Sequence, residues 1–520
     1  MLNNQHDRIQ VANQNYHQRG ETIMLQGVLA FKYEEEKHES GMTSLAGLPV
    51  YLELAYLLGL GESIAAHLHT RTQGWTDEQI ILALILLNIA GGESVDDLRI
   101  LEADEGFCRV LRRVELKGLP RKERRETERR WRKEKHRSVP SPSAVFRYLA
   151  AFHEDYARQE GTAVIPPLTT VRAGLEHVHV DLIASIQKKK PSDTATLDMD
   201  ATLIETAKKE ALFSYKGYKA YQPLNTYWAE QRLILHTEFR DGNVPAGYEQ
   251  LRVFIHALSL LPDGVKTVRL RSDTAGYQHD LMAYCDRGKD GKKHERFGRI
   301  EFAISADVTP EFKKAVREAE EWHPIHDKKE HVTGEWAEVC FVPNAECTTK
   351  KGQPYRYLAI REQLRQPLLP GMEYLPFQTI TFDETGYKLF GIVTNMDWEG
   401  EELIHWHHKR CGKSEEAHAV MKEDLAGGTL PSGKFGENAA WWSIMVLAHN
   451  LNTAMKNLVL QGTWITRRMK AVRFSLINLP ARIVERSRQF FIRLSAGHPS
   501  LPTLLAARQR IMELAYVPTG

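Results

Sequence analysis

The chain has 520 residues, 42% of them hydrophobic and 26% charged, with a formal net charge of +2. That is enough for two to four domains with sizeable cores, and total charge alone makes no case for a nucleic-acid partner. None of the five cysteines has CxxC spacing, which argues against a zinc ribbon and fits a reducing compartment.

The start, MLNNQHDRIQ, lacks the apolar core of a signal peptide. The most apolar run, Ile80 to Ala90, is too short to span a bilayer. A soluble, cytoplasmic protein is expected. Residues 1–40 read as a flexible polar segment. Residues 41–155 read as helical. Thr76-x-x-Gln79 is a capping box ahead of IILALILLNIA, and Gly91-Gly92 stops that helix. Ser141-Pro142 starts another.

Between these signals, Lys117 to Arg137 holds eleven Lys or Arg against four Glu. This excess marks Arg124, Arg125, Arg129, Arg130, Arg132 and Lys133 as candidate contacts to a DNA backbone.

From Thr194 the period changes to two. TATLDMDATLIET places Asp198 and Asp200 on one strand face and Leu197 and Met199 on the other. Strands follow within NTYWAEQRLILHTEF, then a helix around Leu251 to Leu258. VKTVRLRSD is a strand ending at Asp273, and RIEFAIS is another. Residues 190–305 and 401–460 read as two parts of a mixed-sheet core, and 306–400 as a β-rich insertion. The long apolar helix NAAWWSIMVLAHNL closes the core, with its tryptophans buried. Residues 461–520 read as a basic helical tail, with Arg467, Arg468 and Lys470 as further DNA candidates. The fold class is α+β, multidomain.

Asp200, Asp273 and Glu415 stand at strand ends or a helix start. Three converging carboxylates make a hard-oxygen site for Mg²⁺ or Mn²⁺. Asp198 remains an alternative to Asp200, and Glu416 to Glu415. His405, His407 and His408 (IHWHHKR) lack partners for a zinc site and read as a strand or a phosphate contact. GxxxxGK[ST] is absent, so no ATP site is expected.

LDMDATLIET, YKGYKAYQPLNTYWAEQ, EFRDGNVPAG, LRSDTAGY, SEEAHAVMKEDLAGGTLPS and NAAWWSIMVLAHNL together span roughly residues 190 to 455. In combination they resemble the DDE transposases of bacterial insertion sequences. The nearest likeness is the branch with a β-strand insertion between the second Asp and the Glu, the family numbered thirteen-eighty. The resemblance implies an RNase H-like core with Asp200, Asp273 and Glu415 as catalytic residues holding two Mg²⁺ or Mn²⁺ ions. It implies a nucleoid-associated enzyme that binds terminal inverted repeats, cleaves the element's ends and joins the 3′-hydroxyls to double-stranded target DNA. A homodimer on DNA is expected.

The related Tyr-Arg-Glu-Lys signature is only partly present. Lys422 fits, whereas its Arg position holds Cys411 and its Tyr position holds His408. Arg410 stands one residue early, and Lys413 lies between. These residues are expected at DNA phosphates, and Trp228 at a flipped base. A metal-dependent nuclease and an inactive DNA-binding regulator are the alternatives.

Overall fold

The computed structural model describes residues 41–70, 73–117, 119–134, 137–157, 161–289, 292, 294–343, 352–364, 377–410, 412–486 and 489–516. The expected N-terminal segment, 1–40, and Cys411 lie outside the described residues. So do the side chains of Arg130, Arg132, Lys133 and Lys413.

A short strand, β1 (Met42–Thr43), precedes seven helices. They are α1 (Leu48–Leu57), α2 (Leu60–His67), α3 (Asp77–Ala90), α4 (Leu98–Ala103), α5 (Glu105–Glu115), α6 (Arg121–Glu134) and α7 (Pro142–Leu149). The local signals act as expected. Thr76 accepts from the Gln79 N–H at 3.2 Å, and its own N–H donates to the Gln79 side chain at 3.1 Å. Gly91 ends α3 at φ +106°, where a side chain would be strained. Ser141 caps α7 through the Ala144 N–H. Thr76→Ala is expected to cost about 1 kcal/mol of stability, read as a fall in the denaturation midpoint.

Helix α3 is apolar all round and correspondingly buried all round. Its C-terminal carbonyls accept from Arg473 of the tail: Ile89 O from Nε at 2.8 Å and Asn88 O from Nη2 at 2.6 Å. Tyr51 of α1 donates to Asn452, far along the chain, at 2.9 Å. The N-terminal helices therefore share a core with the rest of the molecule.

Helix α8 (Thr170–Lys189) leads into β2 (Thr194–Ala201). Then come β3 (Ile204–Glu205), β4 (Leu212–Phe213), β5 (Lys219–Tyr221), β6 (Leu224–Trp228), β7 (Leu233–Glu238), α9 (Gln250–Ser259), β8 (Thr267–Ser272), α10 (His279–Arg287), β9 (Glu301–Ala306) and α11 (Pro310–Arg317). The insertion supplies β10 (His323–His326), β11 (Val332–Val339), β12 (Arg356–Gln363), β13 (Thr379–Phe382) and β14 (Thr385–Thr394).

Ten strands form one mixed sheet in the order β10-β11-β12-β14-β9-β8-β2-β6-β7, with β13 against β14. Among the described residues, only β2–β8 and β8–β9 pair in parallel. The β-rich insertion is thus an extension of the core sheet, joined where β14 pairs with β9. A small sheet, β3-β5-β4, stands apart from it.

Helices α12 (Gly400–His408), α13 (Lys413–Ala419), α14 (Phe435–Ala454) and α15 (Met469–Val472) follow, then β15 (Ala481–Arg486), β16 (Gln489–Arg493) and α16 (Leu501–Tyr516). Two expectations are corrected. IHWHH lies in helix α12, because Leu403, Ile404 and His407 bury one helical face. The tail is not wholly helical. ARIVER and QFFIR pair as a hairpin whose first strand joins β1, and β-branched alternation with Ala481 and Ile483 buried outweighs the helical spacing of Arg and Phe. Gly47 lets the tail close in, since a Cβ there would meet the Leu476 carbonyl at 1.6 Å. Among the described residues, no single helix is long and apolar enough to cross a membrane.

Candidate active site

The two parallel strands at the middle of the sheet set the site. Met199 of β2 is in register with Ser272 of β8, so the next residues, Asp200 and Asp273, emerge beside each other at the C-terminal ends. Open α/β sheets place their ligands at this edge. Asp273 also caps a short turn, accepting from the Ala275 N–H at 3.0 Å. Burial pushes its carboxyl above the usual range. The Arg410 guanidinium pulls it down, and the Asp200 carboxylate pushes it up again.

Arg410 follows α12 and is nearly buried. Its Nη1 stands 3.9 Å from Asp200 Oδ2. Its Nε has no hydrogen-bond partner among the described residues. His407, one turn back, packs against Ser272, with Nε2 3.2 Å from the Ser272 carbonyl. Burial drives the His407 imidazole down to about 3, so it is neutral and donates. That contact fixes the end of α12 at the end of β8.

His418 of α13 lies on the other side of Asp200, its Nδ1 3.8 Å from Oδ2. Its tautomer follows from a chain of hydrogen bonds. Trp442 donates to Thr237 Oγ1 at 2.8 Å, and Thr237 donates to Asn225 Oδ1 at 2.6 Å. The Asn225 amide therefore offers its NH₂ to His418 Nε2 at 3.0 Å. Nε2 accepts, so Nδ1 carries the proton and turns it toward Asp200. Burial holds this imidazole at about 3, in agreement.

Glu415 and Glu416 are exposed in the first turn of α13. Glu415 precedes His418 by three residues, so it shares the face that meets Asp200, with Cβ atoms about 5–6 Å apart. The Glu416 charge acts on Tyr227, which is in register with Asp198, and on Lys456. Past α13 the backbone widens into a π turn, Val420–Asp424. Lys422 donates from there to the Leu203 carbonyl at 3.3 Å. It feels both the Asp200 carboxylate and the Lys216 ammonium. Lys216 sits beside exposed Tyr215 at the tip between β4 and β5, so this tip reaches toward the site.

Several expected residues serve other ends. Asp198 is fully buried, and Arg271 grips both its oxygens at 2.6 and 2.8 Å. Trp228 is fully buried and donates to the Thr194 carbonyl, so it offers no face to a base. Arg468 and Lys470 reach the buried Asp424 at 3.1 and 3.6 Å, and their side chains stay 43% and 68% exposed. Arg467 stacks on Trp464. His408 is exposed at the end of α12. On α6, Arg125 and Arg129 are exposed on one face and Arg124 is half-buried.

A family model described as Transposase DDE domain group 1 matches residues 34–340 and 378–516. The chain belongs to that family. It is a DDE transposase, a DNA-cleaving and strand-transfer enzyme. A solved structure described as a piggyBac transposase synaptic complex with hairpin DNA aligns over 90% of this chain and 77% of that one. The TM-score is 0.39 and the identity 10%. No curated protein matches the sequence.

DDE transposases use divalent metal ions, and the donor set suits one. Asp200 and Asp273 present hard oxygens, and their carboxylates destabilise each other in a half-buried place. A divalent cation held by them would relieve that repulsion. Arg410 and Lys422 add positive charge at the rim, where a phosphate would lie.

Proposed function

We propose that the transposase cleaves the ends of a bacterial insertion element of the thirteen-eighty branch and joins the freed 3′-hydroxyls to target DNA, with Asp200, Asp273 and Glu415 holding two Mg²⁺ or Mn²⁺ ions. The observation that carries this reading is the side-by-side emergence of Asp200 and Asp273 from parallel strands, ringed by Arg410, His418 and Lys422. The strand order β7-β6-β2-β8-β9, antiparallel on one side of β2 and parallel on the other, supports an RNase H-like core. The divalent ions supply charge for both the attacking and the departing oxygen.

The protein's own residues do the rest. Arg410, whose Nη1 stands 3.9 Å from Asp200, grips a non-bridging phosphate oxygen. His418 donates from Nδ1 to Asp200 and keeps that carboxylate aimed into the site. Glu415 completes the ligand set from the exposed first turn of α13. Asp198 is held by Arg271, which favours Asp200 over it, and Glu415 shares the helical face of His418, which favours it over Glu416. Arg125 and Arg129 hold the terminal inverted repeats. Two ends must meet in one complex, so the working unit is a homodimer on DNA, without ATP.

DNA carrying the element's ends, incubated with Mg²⁺ or with EDTA, tests this reading. Cleavage and joining that require Mg²⁺ support it. Cleavage without joining makes the protein a nuclease, and binding alone makes it a regulator. Lys422→Ala and Lys216→Ala are each expected to weaken DNA binding and to lower the slope of log affinity against log salt by about one. Unchanged slopes, measured by fluorescence anisotropy, place the DNA elsewhere.

A further inference from the structure

At the edge strand β7, on elements that carry none of the catalytic carboxylates, three donor atoms converge. His236 of β7 brings Nδ1 to 3.1 Å from Oε1 of Glu176 on α8. His256 of α9 brings Nε2 to 2.9 Å from the same oxygen. Among the described residues, this is the one place where three His, Cys, Asp or Glu donors lie within 4.8 Å of one another.

The spacing has a chemical meaning. Zinc bonds of about 2.0–2.1 Å in a tetrahedron separate their ligand atoms by roughly 3.3 Å. The two observed separations need to open by only a few tenths of an ångström. The side chains are 20% exposed for Glu176, 7% for His236 and 38% for His256, so the group is sheltered yet reachable. It lines a cavity of about 510 Å³, which leaves room for a water at a fourth position.

We propose that Glu176, His236 and His256 form a second metal centre that takes one borderline transition-metal dication, Zn²⁺ above all, with its fourth position open to the cavity. The donor chemistry separates it from the catalytic pair. Two imidazoles and one carboxylate suit Zn²⁺, whereas the oxygens of Asp200 and Asp273 suit Mg²⁺ or Mn²⁺. The centre ties α8, β7 and α9 together behind the sheet. It stands whether or not the assignment of the catalytic ions holds.

The test uses full-length protein stripped with a chelator, titrated with Zn²⁺ against a chromogenic competitor. One Zn²⁺ per chain is expected, with affinity lowered at least about 100-fold in His256→Ala and in Glu176→Gln and unchanged in Asp273→Asn. Co²⁺ in place of Zn²⁺ should give visible absorption of a tetrahedral site in wild type and lose it in His256→Ala. Circular dichroism confirms that each variant is folded. His256 is partly exposed, so its removal leaves the core filled. Absence of stoichiometric Zn²⁺, or unchanged Zn²⁺ affinity in folded His256→Ala, overturns the proposal and leaves a hydrogen-bonded triad only.

Discussion

Asp273→Asn is expected to remove cleavage and joining by at least about 10³-fold while leaving the protein as stable as before, or more so. Losing several kcal/mol of charge stabilisation at the reacting phosphate accounts for the rate. Stability moves the other way because the native carboxylate is uncomfortable. It is buried and stands beside Asp200. The amide keeps its shape and its acceptor for the Ala275 N–H, and removes the repulsion. Most substitutions of a buried polar group destabilise, so loss of activity with unchanged or raised Tm is a signature that a merely structural residue does not give. Acidification has a related effect in the native enzyme. A carboxyl held above its usual range takes up a proton at a higher pH than an ordinary Asp. Cleavage should therefore fade early on the acid side as Asp273 loses the charge that attracts a cation. A Tm lowered along with the activity would mean that Asp273 mainly supports the fold.

Strands and caps were legible where one local rule acted alone. The period of two around Asp200, the capping box at Thr76 and the Ser141-Pro142 start needed no information from elsewhere in the chain. The acids in LDMDAT and LRSDTAGY could be chosen because strand ends in α/β sheets are where such groups gather. The role of Asp198 was hidden by the same alternation, which puts it on the face of Asp200. Only the register of β2 against β8, Asp198 opposite Arg271, reveals its partner. A cross-strand pair cannot be read from either strand by itself. Trp228 departs from its expected place at a base for a similar reason. It sits in a polar-looking segment, NTYWAEQ, yet β6 lies inside the sheet and every residue of the strand is buried. The arginines of β15–β16 fall at helical spacing, but tertiary pairing with β1 makes the segment a hairpin. Helix α8 carries a local signal of its own, Leu175, Val178, Leu182 and Ile186 at the helical period. The Glu176, His236 and His256 cluster had no signal at all, since its members are dispersed over eighty residues and meet only through the packing of α8 and α9 on β7.

Arg271→Met is expected to destabilise the protein by about 3–5 kcal/mol, the largest stability effect of any single change near the site. The side chain of Arg271 is 4% exposed and that of Asp198 0%. Two guanidinium hydrogen bonds satisfy the carboxylate, a third reaches the Trp406 carbonyl at 2.6 Å, and the guanidinium lies 5.0 Å from the Trp406 ring centre. One residue thereby joins β8 to β2 and to α12, the helix that delivers Arg410. Without it, Asp198 is an unpaired charge in a dry place. Burial already pushes its carboxyl up while Arg271 pulls it down, so the variant's carboxyl rises further. The sign of the pH dependence follows. A carboxyl raised on folding penalises the native state above its unfolded value and ceases to do so once it is protonated in both states. The deficit of Arg271→Met relative to wild type should therefore shrink as pH falls toward the ordinary Asp range. Arg271→Lys should recover only part of the loss, because a single ammonium cannot hold both oxygens as the fork does. Denaturant unfolding at neutral and mildly acid pH decides the cause. A deficit independent of pH would assign the loss to packing against Trp406. A deficit that shrinks, and that Asp198→Asn largely removes in the double variant, assigns it to the stranded charge beneath Asp200.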